Sequence, residues 1–400
     1  MKVAGIIAEY DPFHKGHAAH IAATRAADGD GATHVVVVMS GSFTQRGEPA
    51  LLSKFRRAEM ALAEGADLVL ELPLPFAMAP AENFAAGGVA ILKALGCVDI
   101  LSFGSECGDT APLQRLAALS AAPEYRDALR DALAEGIPYA AAGQAAAARL
   151  LGEEAAAPLA SPNNTLGLEY IRAAELQGAD FGFFTLQRQG ALHTDNAPKH
   201  GFAAATLLRK AVREGNVGYA AEFMPSKAFS LLQAAVTAGE ATTEQHRLEA
   251  ALLARLRQMT AEDFARLPWL SEGLENRLYK ASRTAASYEA LLTEIKTRRY
   301  PMARLRRILW AALLGMTTAD TDGMPPYLRL LGMNARGREI LSTATPTLPI
   351  LTRTAQVSEL DERAQRTFAL ECAATDLHAL AMPQPLPCGT DHTQKLLVKD

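Results

Sequence analysis

Short apolar runs alternate with longer amphipathic stretches in the first half of the chain. Runs rich in β-branched or aromatic residues occur at 3–8, 34–40, 68–72, 100–104 and 181–187. Helical periodicity fills intervals between them, as at 53–64 and 84–95, which is typical of parallel β-α-β units. An alanine-rich stretch at 113–151 predicts further helices, because alanine is the strongest helix former. We therefore predict that residues 1–215 form an α/β domain with a doubly wound parallel sheet.

The strand pattern fades after residue 215. Helical periodicity dominates at 244–259, 275–293 and 302–314. In the last of these the apolar residues fall on a single stripe, formed by Leu305, Ile308, Leu309, Ala312 and Leu313. Arg304 and Arg307 lie off this stripe, so we expect them to face solvent or a ligand. Residues 216–400 are therefore predicted to form a mostly helical second domain.

The chain turns directly after its first predicted strand, in a segment that contains His14, Gly16 and His17. Gly16 allows the backbone to approach a phosphate closely, and the helix expected to begin near His17 offers unpaired N–H groups and a positive dipole end. His14 and His17 can donate hydrogen bonds to phosphate oxygens as charge builds on them during displacement at an α-phosphorus. Two surface histidines are the alternative. In the context of a strand and a turn, the pattern favours a nucleoside triphosphate site.

Composition excludes several other classes of protein. With 400 residues and 49% hydrophobic content, the chain can bury a sizeable core. It contains no apolar run of about 18 residues, and its first residues carry the histidine motif rather than a leader, so neither a membrane span nor a signal peptide is predicted. We expect a cytoplasmic protein. The four cysteines show no Cys-x-x-Cys spacing, which argues against a zinc ribbon and a disulfide framework.

Basic residues concentrate in one segment, although the formal net charge is −4. Between Arg277 and Arg307 there are nine basic and two acidic residues, a local balance of +7. Such a segment offers phosphate contacts, and Tyr300 adds one ring on which a base can stack. A run of charges is more often a solvated face, so charge alone leaves both interpretations open.

Eight segments, spread over almost the whole chain, carry distinctive motifs: AEYDPFHKGH at 8–17, VMSGSFTQRGEP at 38–49, LELP at 70–73, FGSE at 103–106, SPNNTLG at 161–167, GLENR at 273–277, KTRRY at 296–300 and YLRLLG at 327–332. In these segments the chain resembles the tRNA(Met) cytidine acetate ligase family of the His-x-Gly-His nucleotidyltransferase superfamily. The resemblance implies a doubly wound nucleotidyltransferase fold. It also implies that acetate and ATP, with Mg²⁺, form acetyl-adenylate, and that the wobble cytidine of elongator tRNA(Met) then becomes N(4)-acetylcytidine.

The resemblance also assigns residues to the ATP site. His14, His17 and Arg209 are the expected catalytic residues. The expected ATP contacts are Ile7, Ala8, Glu9, Tyr10, Asp11, Pro12, Phe13, His14, Lys15, Gly16, His17, His20, Gly104, Asn163, Asn164, Arg188 and Thr206. Helix capping is the alternative role of Asn163 and Asn164, and a surface position is the alternative for Arg188.

Two positions depart from the family pattern. Asp11 stands where asparagine is the commoner residue, which places an extra carboxylate near the triphosphate. In the second phosphate motif, Ile-Ser-Ser-Thr-x-x-Arg, Thr206 and Arg209 match, but the alanines at 203–205 lack the hydroxyl groups. This second departure leaves the contribution of that loop open.

The remaining assignments concern the acceptor and the RNA. Because binding residues belong at the carboxyl ends of strands, we expect a pocket for acetate or cytidine after the second strand, formed by Ser40, Gly41, Gln45 and Arg46. The expected tRNA contacts are Arg277, Lys296, Arg298, Arg299, Arg304 and Arg307. His193 and His200 are candidates for a base that removes the amine proton. The sequence leaves open whether the protein forms a homodimer.

Two other functions fit parts of the sequence. A nucleotidyltransferase that joins a nucleotide to a small phosphate ester would use the same histidines, but it would not need the basic segment. A non-catalytic RNA-binding protein would explain the incomplete loop at 203–205. Pyrophosphate exchange that depends on acetate distinguishes these alternatives from the ligase.

Overall fold

The computed structural model describes residues 1–27, 31–188, 197–271 and 273–400. The strands in these residues are β1 (Val3–Ala8), β2 (His34–Ser40), β3 (Leu68–Leu72), β4 (Ile100–Ser105), β5 (Gly182–Gln187), β6 (Leu328–Met333), β7 (Ile350–Leu351) and β8 (Leu397–Val398). They form one sheet in the order β5-β4-β1-β2-β3-β6-β7, and β8 also pairs with β6. The first five strands are parallel, so the predicted doubly wound fold is confirmed.

Helices surround this sheet and form most of the remaining described chain. They are α1 (Lys15–Ala26), α2 (Lys54–Ala63), α3 (Leu74–Ala77), α4 (Ala81–Leu95), α5 (Thr110–Ala121), α6 (Pro123–Ala134), α7 (Tyr139–Leu151), α8 (Glu153–Ala156), α9 (Pro162–Gln177), α10 (Ala205–Arg213), α11 (Ser226–Thr237), α12 (Gln245–Gln258), α13 (Ala261–Ala265), α14 (Leu274–Thr284), α15 (Tyr288–Ile295), α16 (Met302–Leu314), α17 (Ala335–Thr343), α18 (Glu362–Ala379) and α19 (Thr390–Thr393). Within the described ranges, no helix has both the length and the apolar character needed to cross a membrane.

Both faces of the parallel sheet are covered, which is why its strands are continuous apolar runs. On β2, Val36 and Val38 pack in the core on the side of α4 and α9, whereas Val35 and Val37 pack on the side of α1 and α2. From β1 the chain proceeds to β2 and β3 on one side, and later to β4 and β5 on the other. This reversal opens a crevice at the carboxyl ends of β1 and β4, where ligands bind in sheets of this type.

The C-terminal part of the chain returns to the sheet. Strand β6 runs antiparallel to β3, with Leu68 opposite Met333 and Val69 opposite Gly332. The helices between 245 and 314 have a core of their own, and Phe43 from the loop after β2 contacts Trp310 at its edge, with ring centroids 5.9 Å apart. Residues beyond 216 therefore complete the sheet as well as adding helices. The division into 1–215 and 216–400 stays a prediction.

A buried cluster of charges holds the returning segment in place. Lys54 lies 2.7 Å from Glu71 Oε1 and 2.8 Å from Asp391 Oδ1, and Arg329 lies 2.9 Å from Glu71 Oε2 and 3.2 Å from Glu371 Oε2. Burial and the neighbouring Glu71 raise the pKa of Glu371 to about 8. The charged residues of this cluster come from α2, β3, β6, α18 and α19. Removal of one of them would leave a buried charge without its partner, which is strongly destabilising, so the cluster holds these elements together.

Candidate functional site

A cavity of about 720 Å³ opens at the carboxyl ends of β1, β4 and β5. This volume is typical of a site for a cofactor or a nucleotide. Sixteen of the predicted ATP and acceptor residues line it: Ile7, Ala8, Glu9, Tyr10, Asp11, His14, Gly16, His17, His20, Gln45, Arg46, Gly104, Asn163, Arg188, Thr206 and Arg209. The structure therefore brings most of the predicted ATP contacts and part of the predicted acceptor pocket together in one cavity.

Six other predicted residues are not among the described residues that line this cavity: Pro12, Phe13, Lys15, Ser40, Gly41 and Asn164. Phe13 is fully buried against Tyr10, and Lys15 Nζ donates to the carbonyl of Glu222 at 2.6 Å. Ser40 is fully buried beside Arg57. Phe13, Lys15 and Ser40 thus make their contacts within the protein.

The two histidines of the motif are held by main-chain groups. His14 is the N-cap of α1, and its Nδ1 accepts from the Gly16 N–H at 3.1 Å. The His14 N–H in turn donates to His17 Nδ1, also at 3.1 Å. The helix begins at Lys15, earlier than expected, because His14 caps it. Since both Nδ1 atoms accept, the proton of each neutral ring lies on Nε2, and each ring has an N–H to donate.

Gly16 is required by this arrangement. A Cβ atom at this position would lie 2.9 Å from His14 Cε1 and 3.1 Å from His14 Nδ1. Any larger residue would therefore displace the ring whose Nδ1 receives the Gly16 N–H. The glycine of the motif thus positions a histidine, in addition to leaving the backbone open to a ligand.

Arg209 and Asp11 connect the loop after β1 to α10. Arg209 Nη1 donates to the carbonyl oxygen of Asp11 at 2.6 Å and lies 3.5 Å from Asp11 Oδ2. Asp11 Oδ1 accepts from the Leu51 N–H at 2.7 Å. The extra carboxylate is therefore engaged by a backbone donor and by an arginine, which reduces its repulsion toward a bound phosphate.

The alanines of the second motif lie at the N-terminus of α10. Ala204 is the N-cap and provides no side-chain cap to any described N–H group, whereas Ala203, Ala205 and Thr206 line the cavity. The departure from the family pattern thus removes hydroxyl groups but keeps a helix N-terminus at the cavity wall. Its N–H groups and its dipole favour an anion there.

Glu9 and Arg46 form the wall on the side of β2. Glu9 Oε1 accepts from the Gln45 N–H at 2.6 Å. Burial raises the pKa of the Glu9 carboxyl, and the charges of Arg209 and Arg46 oppose that rise only in part. This wall therefore offers a carboxylate of increased basicity beside a guanidinium group.

His20 and Arg188 form the opposite wall, near β4 and β5. His20 Nε2 lies 2.9 Å from Ser102 Oγ, and the Ser102 hydroxyl lies 2.7 Å from Thr24 Oγ1. Burial and the neighbouring Arg188 lower the pKa of His20 to about 4. The sequence analysis did not single out Ser102 or Thr24. A serine inside a buried apolar strand was the one available signal.

The asparagine pair lies at the start of α9. Asn163 lines the cavity, and its Nδ2 donates to Glu106 Oε1 at 2.6 Å. Asn164 is buried, and its Oδ1 accepts from the N–H of Glu106 at 2.8 Å. Glu106 Oε2 accepts from the Asn164 N–H at 2.8 Å, so this carboxylate satisfies the helix end. The loop after β4 and the start of α9 are therefore fastened to each other.

Most of the predicted tRNA contacts use their side chains within the fold. Lys296 Nζ donates to the carbonyl of Tyr300 at 2.7 Å, Arg277 Nε to that of Glu294 at 3.1 Å, and Arg304 Nε to that of Trp269 at 2.9 Å. Arg307 Nη1 donates to the carbonyl of Gln45 at 3.0 Å, and burial lowers its pKa to about 10. Arg304 and Arg307 are thus half-buried and bonded to main-chain carbonyls of the fold, and their contact with tRNA stays a prediction.

Arg298 and Arg299 are the other two predicted tRNA contacts. Both are exposed, and they lie in the loop between α15 and α16. Through Arg307 this segment packs against the loop that supplies Gln45 to the cavity wall. The exposed arginines therefore belong to a segment that adjoins the site.

Of the two candidates for a proton-accepting histidine, the structure describes only His200. His193 lies outside the described residues. His200 is exposed, in a turn with a φ of 49°, and is not among the described residues that line the cavity. The cavity itself holds better placed titratable groups, above all Glu9.

Known proteins resemble this chain along its whole length. The model of the HIGH Nucleotidyl Transferase family matches residues 1–392. A protein of Acetivibrio thermocellus named tRNA(Met) cytidine acetate ligase is 36% identical over 416 residues, covering 100% of both chains. The protein of that name from Syntrophotalea carbinolica is 41% identical over 380 residues, covering 92% of this chain and 88% of the relative.

Two solved structures are also similar to this chain over its whole length. The apo crystal structure of Thermotoga maritima TmcAL superimposes with a TM-score of 0.94 at 32% identity, and both chains are covered completely. The form of that protein bound with alpha-thio ATP superimposes with a TM-score of 0.91 at 31% identity, again over 100% of both chains. The chain therefore belongs to the tRNA(Met) cytidine acetate ligase family of HIGH nucleotidyltransferases, as its motifs predict.

Proposed function

We propose that the protein is an ATP-dependent ligase that acetylates the wobble cytidine of elongator tRNA(Met). The observation that carries this proposal is the pair of imidazoles, His14 and His17, at the N-terminus of α1 in a cavity of about 720 Å³. Two N–H donors beside a positive helix end suit the charge that develops on phosphate oxygens during displacement. The names of the relatives supply the substrates, cytidine, acetate and tRNA(Met).

The proposed reaction has two steps. A carboxylate oxygen of acetate attacks the α-phosphorus of ATP. The bond between the α-phosphorus and the oxygen that it shares with the β-phosphate breaks, and pyrophosphate leaves with the electron pair of that bond. The exocyclic amine of cytidine then attacks the acetyl carbonyl carbon. The bond to the AMP oxygen breaks, AMP leaves, and one amine proton passes to a base. Both steps need the same α-phosphate, so one cavity can serve both.

The placement of ATP follows from the charges on the cavity walls. The triphosphate would lie between the N-termini of α1 and α10, where His14, His17 and Thr206 line the cavity and Arg209 supplies positive charge. The nucleoside would then extend toward Gly104 and the carboxyl ends of β4 and β5. At Gly104 a Cβ would be 3.4 Å from Arg188 Cγ, an ordinary contact, so the glycine is not required by packing. We infer that it leaves room for the ligand.

The acetate and the cytidine would approach from the side of β2. Arg46 lines this side and can pair with the acetate carboxylate. Glu9 lies on the same wall with a raised pKa, which makes it suited to accept the proton of the attacking amine. The basic segment that contains Arg298 and Arg299 adjoins this wall through Arg307, which supports our proposal that it contacts the phosphates of the tRNA.

Magnesium belongs with ATP in this proposal. Among the described residues, no group of three or more His, Cys, Asp and Glu side chains could hold a metal ion. Mg²⁺ usually keeps several water molecules and binds nucleotide phosphates together with one or two carboxylates. We therefore expect it to arrive as the complex with ATP, with phosphate oxygens as its main ligands.

Exchange of radiolabelled pyrophosphate into ATP tests the first step. The proposal predicts exchange that requires acetate and that is lost in His17→Asn. Exchange that needs a small phosphate ester instead of acetate would favour the nucleotidyltransferase alternative. Binding of RNA without any exchange would favour the non-catalytic alternative, and either outcome would overturn the proposed ligase.

A further inference from the structure

Three hydrogen bonds link the ring of His20 through Ser102 and Thr24 to the carbonyl oxygen of His20. The residue lies one turn after His17 on α1 and lines the cavity. Its Nε2 is 2.9 Å from Ser102 Oγ, Ser102 Oγ is 2.7 Å from Thr24 Oγ1, and Thr24 Oγ1 donates to the carbonyl oxygen of His20 at 2.8 Å. Ser102 and Thr24 are buried, so these contacts are shielded from water.

Only one distribution of protons satisfies all three contacts. A carbonyl oxygen accepts and cannot donate, so the single hydroxyl proton of Thr24 is directed at the His20 carbonyl. The Ser102 hydroxyl must then donate to Thr24. With its proton used, Ser102 can only accept from His20, and Nε2 of the imidazole therefore carries the N–H.

The other ring nitrogen of His20 is consequently an acceptor. In the neutral imidazole one nitrogen carries the proton and the other a lone pair, so Nδ1 of His20 has a lone pair. The ring stays neutral near pH 7 because burial and Arg188 lower its pKa to about 4. His14 and His17 are arranged in the opposite way, since their Nδ1 atoms receive main-chain N–H groups and Nε2 carries the proton. Helix α1 thus presents two histidine donors and, one turn later, one histidine acceptor.

We propose that His20 Nδ1 accepts a hydrogen bond from the nucleoside half of ATP and so determines which nucleotide the site takes. Ionised phosphate oxygens have no proton to donate, so a lone pair repels them, whereas the ribose hydroxyls and the adenine amine are donors. Three residues along a helix correspond to about 4.5 Å, which is a distance suited to the step from a phosphate to its sugar or base. His20 is a specificity-determining residue that separates the phosphate part of the cavity from the nucleoside part. This inference rests on the proposed binding of ATP.

The test compares two substitutions that each keep one half of the imidazole. His20→Asn places an amide oxygen near the position of Nδ1, and His20→Gln places an amide N–H near Nε2, where it can still donate to Ser102. We expect His20→Gln to bind ATP about tenfold or more weakly by calorimetry, because the ligand donor loses its partner. His20→Asn, which keeps an acceptor near the position of Nδ1, should lose less affinity for ATP than His20→Gln does. Equal ATP affinity in His20→Gln and in the wild type would overturn the inference.

Analogues identify the donor. The probes are 2′-deoxy-ATP, 3′-deoxy-ATP and purine riboside triphosphate, which lacks the adenine amine. The analogue that lacks the donor should bind the wild type about tenfold more weakly than ATP, and it should lose no further affinity in His20→Gln. If every analogue loses the same factor as ATP in His20→Gln, the proposed hydrogen bond does not exist.

Nitrogen NMR of the His20 ring provides a readout that a purely structural role would not change. At pH 7 we expect a protonated Nε2, an unprotonated Nδ1, and a shift of the Nδ1 resonance when ATP is added. A proton on Nδ1 would contradict the assignment. Acetate-dependent exchange in the wild type together with an unaffected His20→Gln would overturn this inference alone. A wild type that binds no ATP would overturn the proposed function with it.

Discussion

His14 and His17 stack face to face, with ring centroids 3.6 Å apart and ring planes inclined by 15°. Each ring receives a main-chain N–H on Nδ1, so the two imidazoles have the same tautomer and a limited range of orientations. Donors that are oriented before the reaction stabilise a developing charge without the cost of reorganisation. The signature motif therefore acts through the N–H of Nε2, and the capping contacts of the helix fix the position of that donor.

Substitutions at His17 separate the cap from the donor. His17→Asn keeps an oxygen that can accept from the His14 N–H, but it removes the N–H of Nε2. We expect acetate-dependent pyrophosphate exchange to fall about 10²-fold or more in this variant, with a loss of only a few-fold in ATP affinity, because the donor acts mainly in the transition state. His17→Gln, which keeps an N–H near Nε2, should retain more activity. Near-normal turnover of His17→Asn would exclude the assigned role.

Substitution of Glu9 distinguishes the two steps. Glu9→Gln keeps the acceptor for the Gln45 N–H, which lies 2.6 Å from Oε1, but it removes the basic carboxylate. We expect acetate-dependent exchange to persist, whereas acetyl transfer to tRNA in single-turnover experiments falls about 10²-fold or more. The matched control is Glu48→Gln, since Glu48 is another acid near Arg209 but is paired with Arg306. Equal losses in both steps for Glu9→Gln would rule out a role confined to the amine proton.

The exposed arginines of the basic segment should act on RNA alone. For the double variant Arg298→Ala and Arg299→Ala, we expect weaker binding of tRNA and a salt dependence whose slope decreases by about 1 to 2, because each phosphate contact releases roughly one counterion. Acetate-dependent exchange should not change. Arg130→Ala is the control, since Arg130 is an exposed arginine on α6 outside the segment. Unchanged affinity of the double variant for tRNA would show that this face contacts only solvent.

His378 should make the stability of the fold sensitive to acid. Its Nε2 donates to the carbonyl of Ala50 at 2.7 Å, and burial lowers its pKa from 6.5 to about 4. Because the fold favours the neutral ring, the stabilisation is complete above pH 6.5 and is lost as the pH falls through 4. One such group changes the free energy of unfolding by up to about 3 kcal/mol at pH 4.

Urea unfolding of His378→Gln between pH 7 and 4 measures this contribution. Glutamine can still donate to Ala50 but does not titrate, so the dependence of stability on pH should become shallower. His20 has a similarly lowered pKa, so part of the dependence should remain. An identical pH profile for the variant and the wild type would show that His378 does not titrate with folding.

The parallel strands could be predicted because their signal is local. The sequence predicted β1, β2 and β3 with their observed bounds, since a strand buried on both faces is a continuous apolar run. Strand β6 was missed. It contains Arg329, a residue type that usually lies at the surface and so argues against a buried strand. The acids that neutralise Arg329 include Glu371 and Asp391, which are distant in sequence. Compensation between remote charges leaves no local pattern.

The site was predictable to the extent that its residues are contiguous. The histidine motif lies within one turn and one helix start, so its geometry follows from the local sequence. Gly41 was expected in the acceptor pocket, but a Cβ there would lie 2.6 Å from Glu71 Oε1, on the side of the buried charges. Ser102 and Thr24 direct the His20 ring from β4 and α1, and only the folded structure brings them together.

Transfer of labelled acetate to RNA tests the central claim most directly. The purified protein would be incubated with ATP, Mg²⁺, radiolabelled acetate and total bacterial tRNA, with His17→Asn as the control. The account predicts label in N(4)-acetylcytidine at the wobble position of elongator tRNA(Met), dependent on ATP and greatly reduced in the control. Absence of label from that nucleotide, while the same preparation carries out acetate-dependent pyrophosphate exchange, would contradict the account and require a different acetyl acceptor.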